Sequence, residues 1–249
     1  FAFKNPFFRM KIRLKKEIVT IGLPEISPNK IVGNYVKPEN WNDLISDKNL
    51  LLIDTRNSYE VSIGSFENAL NPNIKNFREF PDWVTKNLIN KDPEIKNKKV
   101  AMFCTGGIRC EKASAYLKHK GLKNVYQLQG GIIEYSRQVK EKKLKNNFLG
   151  KNFVFDERLG ERISDDIVSN CHQCGEPCDT HVNCFNEACH LLFIQCEKCR
   201  QRMRNCCSDE CINIIELSYE EQKKLRKGKY NSNKVFKKGR SDKLKYKLS

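Results

Sequence analysis

Long apolar segments are missing from this chain of 249 residues. Apolar runs such as VAMFC and LLFI have the length of buried strands, far short of the roughly 20 residues that a membrane-spanning helix needs. A signal peptide is missing as well, because the chain starts at Phe1 and shows no apolar stretch followed by a small-residue cleavage site. We therefore expect a cytoplasmic protein without a membrane partner, and we interpret the chain as a piece whose front end is missing.

Acidic residues are scarce relative to basic ones, with 30 Asp and Glu against 46 Lys and Arg and a net charge of +16. Residues 220–249 hold 12 basic and 3 acidic residues, so +9 of that charge lies in the last thirty positions. A second basic run extends from Lys4 to Lys16. Two basic ends predict a polyanionic partner, most simply nucleic acid. A solvated lysine-rich tail is the alternative for the C-terminal run.

Cysteine is absent from the first 103 residues, and its distribution after them is uneven. Cys104 and Cys110 stand apart, whereas ten of the twelve cysteines fall between Cys171 and Cys211. In a chain without a secretion signal, such a cluster indicates metal binding before it indicates disulfides.

Strand and helix patterns alternate between residues 31 and 145. Apolar strands such as LLLID and KKVAMFC are followed by helical segments such as IRCEKASAYLKHK, with Gly121 as the C-cap of that helix. This rhythm predicts an α/β domain with a parallel sheet covered by helices on both faces. Functional groups on such a sheet belong at the carboxyl ends of its strands, where the CTGGIR loop and Asp54–Arg56 fall.

The CTGGIR loop has the composition of an anion site. Gly106 and Gly107 permit backbone N–H groups to converge, and the following helix directs its positive end at the same point. Cys104 lies where a thiolate is favoured, and Arg109 adds a fixed charge. We interpret Cys104 and Arg109 as catalytic. The backbone cradle consists of Thr105, Gly106, Gly107 and Ile108.

The length of the loop separates two chemistries. Cysteine phosphatases place five residues between cysteine and arginine, whereas this chain has four, which is the rhodanese pattern of a persulfide-carrying cysteine. Asp54 and Arg56 are supporting residues, and an internal ion pair that fixes the loop is the favoured interpretation. Cys110 is either a small residue packed on the sheet or a resolving thiol for an oxidised Cys104.

The segment from Cys171 to Cys211 contains cysteine pairs with the spacing of zinc ligands. Four pairs in series permit two ions in a crossed arrangement, first pair with third and second with fourth. The candidate ligands are Cys171, Cys174, Cys184, Cys189, Cys196, Cys199, Cys207 and Cys211. The remaining residues Cys178, Cys206, His172, His181 and His190 compete as ligands, and redox exchange is an alternative use of the surplus thiols.

Taken together, the order of these pieces resembles the rhodanese-related tRNA uridine hydroxylases, the TrhO (YceA) family, over about residues 1–212. The resemblance is carried by NPFFRMKIRLKKEIVTIG, IDTRNSYEVSIGSF, NFREFPDWV, VAMFCTGGIRCEKASAYL, GGIIEY, FVFDER and the cysteine-rich end. It implies oxygen-dependent hydroxylation of the wobble uridine of tRNA to 5-hydroxyuridine, with tRNA as partner, dioxygen as co-substrate and Cys104 as the active-site cysteine. The sequence shows no flavin or NAD motif and no facial triad of two histidines and a carboxylate for iron.

The resulting domain prediction has four parts. Residues 1–30 are the end of an N-terminal ferredoxin-like domain, with a strand in MKIRLKKEIVTI and a linker, and residues 31–145 are a rhodanese domain. Residues 146–212 form a cysteine-rich, zinc-binding segment that starts with a strand in FVFDER, and residues 213–249 are a basic, disordered tail. A sulfurtransferase that passes a Cys104 persulfide to an acceptor is the alternative function, and a zinc-dependent RNA-binding module on an idle scaffold is a third.

Overall fold

The computed structural model describes residue 12 and residues 14–227. These residues divide into two compact units. The sheet unit contains the described residues up to Phe153 together with Arg162–Asp165, and the cysteine-rich unit contains Val154–Glu161 and the described residues from Asp166 onward. Within the described residues, no helix is both long and apolar enough to cross a membrane.

The sheet unit is built on a four-stranded parallel sheet with the strand order β1-β5-β4-β2. Its strands are β1 (Asn34–Val36), β2 (Leu50–Asp54), β4 (Lys99–Phe103) and β5 (Asn124–Leu128). The register pairs Asp54 with Phe103, so β2 and β4 end side by side. The two chain segments that the sequence analysis singled out therefore leave the sheet at neighbouring points.

Helices cover both faces of this sheet, which confirms the predicted fold class. They are α1 (Pro38–Ile45), α2 (Ser58–Val61), α3 (Phe80–Val84), α4 (Ile108–His119) and α5 (Gly131–Lys142). A 3₁₀ turn (Phe77–Glu79) precedes α3, a π-helical turn (Thr85–Ile89) follows it, and a second 3₁₀ turn covers Pro93–Lys96. Helix α4 ends before Gly121, whose positive φ of 89° suits the predicted C-cap glycine.

Strand β4 shows why both faces need cover. Its side chains alternate, so that Val100 and Met102 join one apolar cluster and Ala101 and Phe103 join the other. The first cluster takes in α3 and α4, and the second takes in α1 and α5. A strand buried on both sides has a continuous apolar run in its sequence, as β4 has in VAMF.

A second, smaller sheet has the strand order β3-β6-β7. Strand β3 (Gly64–Phe66) pairs antiparallel with β6 (Phe148–Asn152), and β7 covers Glu161–Arg162. The strand predicted in FVFDER is therefore wrong, since the strand ends at Asn152 and the following residues form bends and a turn. Asp156 explains this turn, because its carboxylate accepts hydrogen bonds from the backbone and guanidinium of Arg158.

The cysteine-rich unit has little regular structure. An antiparallel pair joins β8 (His181–Asn183) to β9 (Leu192–Ile194), and the helices are α6 (Glu197–Arg202), α7 (Asp209–Glu216) and α8 (Tyr219–Arg226). Its apolar cluster holds Leu191 and Phe193 among four buried cysteines. So small a core indicates that another interaction stabilises the unit.

The two ends of the chain differ from expectation where they are described. Residues 14–21 contain no strand, and the rest of the predicted N-terminal strand lies outside the described residues. Disorder from residue 213 is wrong as far as Arg226, because α7 and α8 occupy this stretch. A capping box of Ser218 and Glu221 starts α8. Residues 228–249 lie outside the described residues.

Candidate functional site

The CTGGIR loop connects the carboxyl end of β4 to the first turn of α4. Cys104 follows Phe103 directly, and α4 begins at Ile108. Gly107 takes a φ of 86°, a left-handed conformation that a glycine adopts without strain. The glycine thus turns the chain so that the amino end of α4 faces back toward Cys104.

The Cys104 sulfur lies inside the cradle that the sequence predicted. The residue is buried, with 1% of its surface exposed, and the backbone N–H of Gly107 donates to its Sγ at 3.1 Å. Gly106 itself is exposed. The loop therefore surrounds a buried sulfur with donors, which is the environment that favours a thiolate.

The start of α5 forms a further part of this site, which the sequence analysis did not identify. The N–H groups of Ile132 and Ile133 donate to the carbonyl oxygens of Cys104 and Thr105 at 3.0 and 3.1 Å. A Cβ atom on Gly131 would lie 2.5 Å from the Cys104 oxygen and 2.6 Å from the Gly107 nitrogen. The two consecutive glycines of GGIIEY were the available signal, because close backbone approach needs glycine.

Burial and polar contacts act in opposite directions on the Cys104 thiol. Burial favours the neutral thiol, but the Cys110 side chain, the Arg109 charge and the backbone N–H groups of both residues outweigh it. Together they lower the pKa of Cys104 to about 6. Cys104 is consequently a thiolate at neutral pH, when an ordinary cysteine is mostly protonated.

Cys110 is fully buried beside the loop, and its thiol has the opposite tendency. Burial and the neighbouring Cys104 charge raise the pKa of Cys110 well above its usual value. The hydroxyl of Thr55 lies 3.6 Å from its sulfur and donates to the carbonyl oxygen of Phe103 at 3.0 Å. Cys110 is therefore a protonated thiol that donates a hydrogen bond toward Cys104.

Arg109 does not project freely toward the cradle. Its two terminal nitrogens donate to the two carboxylate oxygens of Glu60 at 2.6 and 2.7 Å. Burial works against the charge of the guanidinium, but Glu60 outweighs it and raises the pKa of Arg109. Glu60, which belongs to the IDTRNSYEVSIGSF stretch, is therefore the residue that orients Arg109.

Glu60 is itself fixed at the amino end of α2. Its carboxylate accepts the N–H of Asn57 at 3.1 Å in a capping box, and the Thr105 hydroxyl lies 3.3 Å from the carboxylate. Burial favours its neutral form, but Arg109 above all holds the pKa of Glu60 below the usual range. One carboxylate thus connects α2 with the loop and with α4.

Asp54 and Arg56 form a fully buried ion pair with two parallel hydrogen bonds, of 2.9 and 2.6 Å. Arg56 also donates to the carbonyl oxygen of Gly64 at 2.6 Å, and the hydroxyl of Ser65 donates to Asp54 at 2.8 Å. The pair joins the end of β2 to β3, and its role in fixing the loop stays a prediction.

The cysteine-rich unit groups eight of its cysteines into two sets of four, within each of which all sulfur atoms lie within 4.8 Å of one another. One set is Cys171, Cys174, Cys196 and Cys199, and the other is Cys184, Cys189, Cys207 and Cys211. These sets join the first pair with the third and the second pair with the fourth, the crossed arrangement. Cys178, Cys206 and the competing histidines belong to neither set.

The geometry of both sets fits a tetrahedral metal ion. Sulfur–sulfur distances are 3.6 Å for Cys174 and Cys196 and 3.6 Å for Cys189 and Cys207. Sulfur atoms bound at about 2.3 Å to a tetrahedral zinc ion lie about 3.8 Å apart. The N–H of Cys196 donates to the sulfur of Cys171 at 3.3 Å, a contact that supports a metal-bound thiolate.

Two known families match successive parts of the chain. The family described as Rhodanese-like domain matches residues 37–138, and the family described as Rhodanase C-terminal matches residues 149–212. A rhodanese-related protein from Thermoplasma volcanium matches 42% of this chain and 92% of its own length, at 23% identity and a TM-score of 0.33.

Curated relatives match almost the whole chain. A tRNA uridine(34) hydroxylase from Enterobacter sp. is 48% identical over 235 residues, which are 94% of this chain and 66% of the relative. The protein of the same name from Pectobacterium carotovorum is 47% identical over 236 residues, covering 94% of this chain and 65% of the relative. The chain thus spans just under two thirds of the length of these relatives. It belongs to the rhodanese-related family whose curated members are named tRNA uridine(34) hydroxylase.

Proposed function

We propose that this protein hydroxylates the wobble uridine of tRNA to 5-hydroxyuridine, with dioxygen as co-substrate and Cys104 as the reactive thiol. The observation that carries the proposal is the 48% identity over 94% of the chain to a protein named for this activity. An alignment of this coverage spans the loop, in which Cys104 and Arg109 are both present. The net charge of +16 supports tRNA as the partner.

Cys104 contributes a nucleophilic sulfur held at a fixed point. The Gly107 N–H and the amino end of α4 stabilise negative charge on this sulfur, whether it is a thiolate or a persulfide. The α5 hydrogen bonds hold the carbonyl groups of Cys104 and Thr105, so the loop keeps its shape when the charge changes. This is preorganisation, in which the donors are in position before the reaction begins.

Arg109 supplies a positive charge that Glu60 fixes in place. Because its two short guanidinium hydrogen bonds go to Glu60 and a longer one, of 3.4 Å, goes to the Thr105 hydroxyl, Arg109 acts on the Cys104 sulfur mainly through its field. The Cys110 thiol completes the set by donating a hydrogen bond to the charged form of Cys104. We assign Cys104 the chemical step and Arg109, Glu60 and Cys110 the positioning of its charge.

The two cysteine sets are proposed to bind one zinc ion each. Zinc would hold the cysteine-rich unit together, because the unit has a small apolar cluster and short strands. We further propose that residues 31–145 act as the rhodanese domain, that residues 146–212 are the zinc-binding segment, and that the protein works in the cytoplasm.

Nucleoside mass spectrometry of tRNA tests the proposed activity. Cells that lack the protein should lose 5-hydroxyuridine and the nucleosides made from it, and the wild-type chain should restore them. The variant Cys104→Ser should fail to restore them while keeping the wild-type melting temperature. Cys178→Ser is the matched control, because Cys178 belongs to neither metal set, and it should restore the nucleosides.

Two results would contradict the proposal. Unchanged 5-hydroxyuridine together with lost thiolated nucleosides would indicate sulfur transfer from Cys104 instead of hydroxylation. Full restoration by Cys104→Ser would exclude the thiol as the reactive group.

A further inference from the structure

A cavity of ≈ 420 Å³ lies beside the cysteine loop, between the first turn of α4 and the chain segment from Lys16 to Asn29. Its lining includes Ile18, Pro24 and Ser27 from the segment and Ile108 and Glu111 from α4. The volume falls within the range of small-molecule sites. The sequence predicts the end of a strand up to Ile21 and a linker after it, whereas in the structure residues from both parts line a cavity.

Lys112 holds that wall in place. Its side chain is buried, with 2% exposed, and its ammonium donates to the carbonyl oxygens of Leu23 and Ile26 at 2.9 and 2.5 Å. It also pairs with the carboxylate of Glu17 at 3.0 Å. An ammonium has three donors, and these three acceptors satisfy all of them. The segment is therefore wrapped around a charged group of α4 at a defined position.

Glu17 completes this support from the other side. Its two carboxylate oxygens accept the N–H groups of Ile21 and Gly22, both at 3.3 Å. The buried charges of Glu17 and Lys112 thus neutralise each other within the wall. The cavity lining offers a ligand apolar and polar surface in similar amounts.

Two exposed isoleucines give the cavity its apolar character. Ile18 is 59% exposed and Ile108 is 48% exposed, and both line the cavity from opposite elements. Aliphatic surfaces on two sides suit a flat heterocycle. The Ser27 hydroxyl, the Asn29 amide and the Lys16 ammonium add hydrogen-bond groups and one exposed positive charge.

The cavity adjoins the reactive loop through the chain itself. Ile108 follows Gly107, whose N–H donates to the Cys104 sulfur, and it precedes Arg109. A ligand in the cavity would therefore contact a residue of the same loop that holds the thiol.

We propose that this cavity binds one unstacked nucleotide of the RNA substrate, with the base between Ile18 and Ile108 and the phosphate toward Lys16. The inference rests on the proposed function, since it takes RNA as the substrate. Proteins bind single-stranded nucleotides by holding the unstacked base against side chains, most often aromatic ones, beside a positive charge. Here the apolar contact to the base would come from two isoleucines. The segment from Lys16 to Asn29 is then a substrate-binding element.

The substitution Ile18→Asp tests the site by placing a carboxylate in its apolar wall. Ile31→Asp is the matched control, because Ile31 is 46% exposed, belongs to the same unit and does not line the cavity. Both variants add one negative charge, so general repulsion of RNA is the same. Ile18→Asp should raise the KM for tRNA on the order of tenfold, with kcat at saturation nearly unchanged. Ile31→Asp should have little effect on KM.

Binding measured without turnover separates this inference from the proposed function. Each substitution is placed in the Cys104→Ser chain, and the affinity for an anticodon stem-loop RNA is measured by fluorescence anisotropy. An abasic nucleotide is then moved along the loop of the RNA. At one position the abasic nucleotide should weaken binding to the Cys104→Ser protein. At the same position it should not weaken binding further when Ile18→Asp is also present, which is the signature of a direct contact between Ile18 and that base.

The outcomes are distinct. Equal effects of Ile18→Asp and Ile31→Asp, or abasic effects that add to Ile18→Asp at every position, would overturn the cavity proposal while wild-type hydroxylation continued. An absence of hydroxylation by the wild-type protein would instead contradict the proposed function.

Discussion

Cysteine serves two purposes in this chain, and the contrast lies in the surroundings of the sulfur. Cys104 stands in a cradle of backbone donors with one protonated thiol beside it, and the nearest fixed charge is an arginine. The cysteines of the second unit lie in sets of four whose sulfurs point at a common centre. The first arrangement suits a single reactive thiolate, whereas the second suits four thiolates that each donate a lone pair to one metal ion.

The two sites also differ in what holds them in shape. The Cys104 loop is held by the polypeptide, through the α5 hydrogen bonds and the Glu60–Arg109 pair. The cysteine-rich unit has short strands and a small apolar cluster, and we propose that bound zinc ions supply the rest of its stability. A cysteine substitution should therefore abolish chemistry in one place and structure in the other.

Removal of a cluster ligand is the largest expected effect. The variant Cys189→Ser should lose one of two zinc ions per chain and unfold the cysteine-rich unit, because structural zinc contributes about 10–16 kcal/mol in small zinc modules. Zinc content by mass spectrometry and hydrogen exchange of residues 181–216 measure the two losses. Cys104→Ser should keep both ions and its exchange protection. Retention of two zinc ions by Cys189→Ser would show that the crossed sets are not the binding sites.

The substitution Glu60→Gln should come next in size. It leaves the Arg109 charge buried without its carboxylate, which costs about 3–5 kcal/mol in comparable buried pairs. Because the pKa of Glu60 is lowered in the folded protein, the wild-type contribution is present above the carboxylate range and is lost as the pH falls through the folded value. Urea unfolding at neutral pH measures the difference.

A matched control for this second prediction is Glu39→Gln, which breaks the exposed pair with Lys142. Exposed pairs contribute little, so this variant should unfold at nearly the wild-type urea concentration. Equal destabilisation by the two substitutions would mean that the Glu60–Arg109 pair does not support the loop.

The sequence predicted those features that depend on local pattern. The apolar runs predicted the positions of β2 and β4, and the two glycines before Arg109 predicted the backbone cradle. The cysteine spacing permitted the crossed arrangement of two sets of four that the structure shows. Each of these follows from residues that are close in the chain, or from a repeat of one spacing.

Features that depend on distant partners could not be predicted. Glu60 meets Arg109 across 49 residues, and Lys112 meets the carbonyl oxygen of Ile26 across 86. No local pattern distinguishes these from exposed charged residues, and only packing brings the partners together. The same applies to Gly131, whose contact with the loop depends on how α5 leaves the sheet.

The smallest effect concerns the hydrogen bond from Cys110, and it tests whether the polypeptide alone activates Cys104. The groups that act on the Cys104 thiol are Cys110 and Arg109 from α4, and Glu60 and Tyr59 from α2 act in turn on Arg109. In the wild type the rate of Cys104 alkylation should rise with pH through a midpoint of about 6. The variant Cys110→Ala removes a donor to the thiolate and should raise that midpoint by about one pH unit. Cys110→Ser keeps a donor, so its midpoint should lie close to that of the wild type.

Quantifying the alkylated Cys104 peptide by mass spectrometry follows this thiol separately from the eight cluster cysteines. An unchanged midpoint in Cys110→Ala would leave Arg109 and the backbone N–H groups as sufficient, and Cys110 would then be a packing residue.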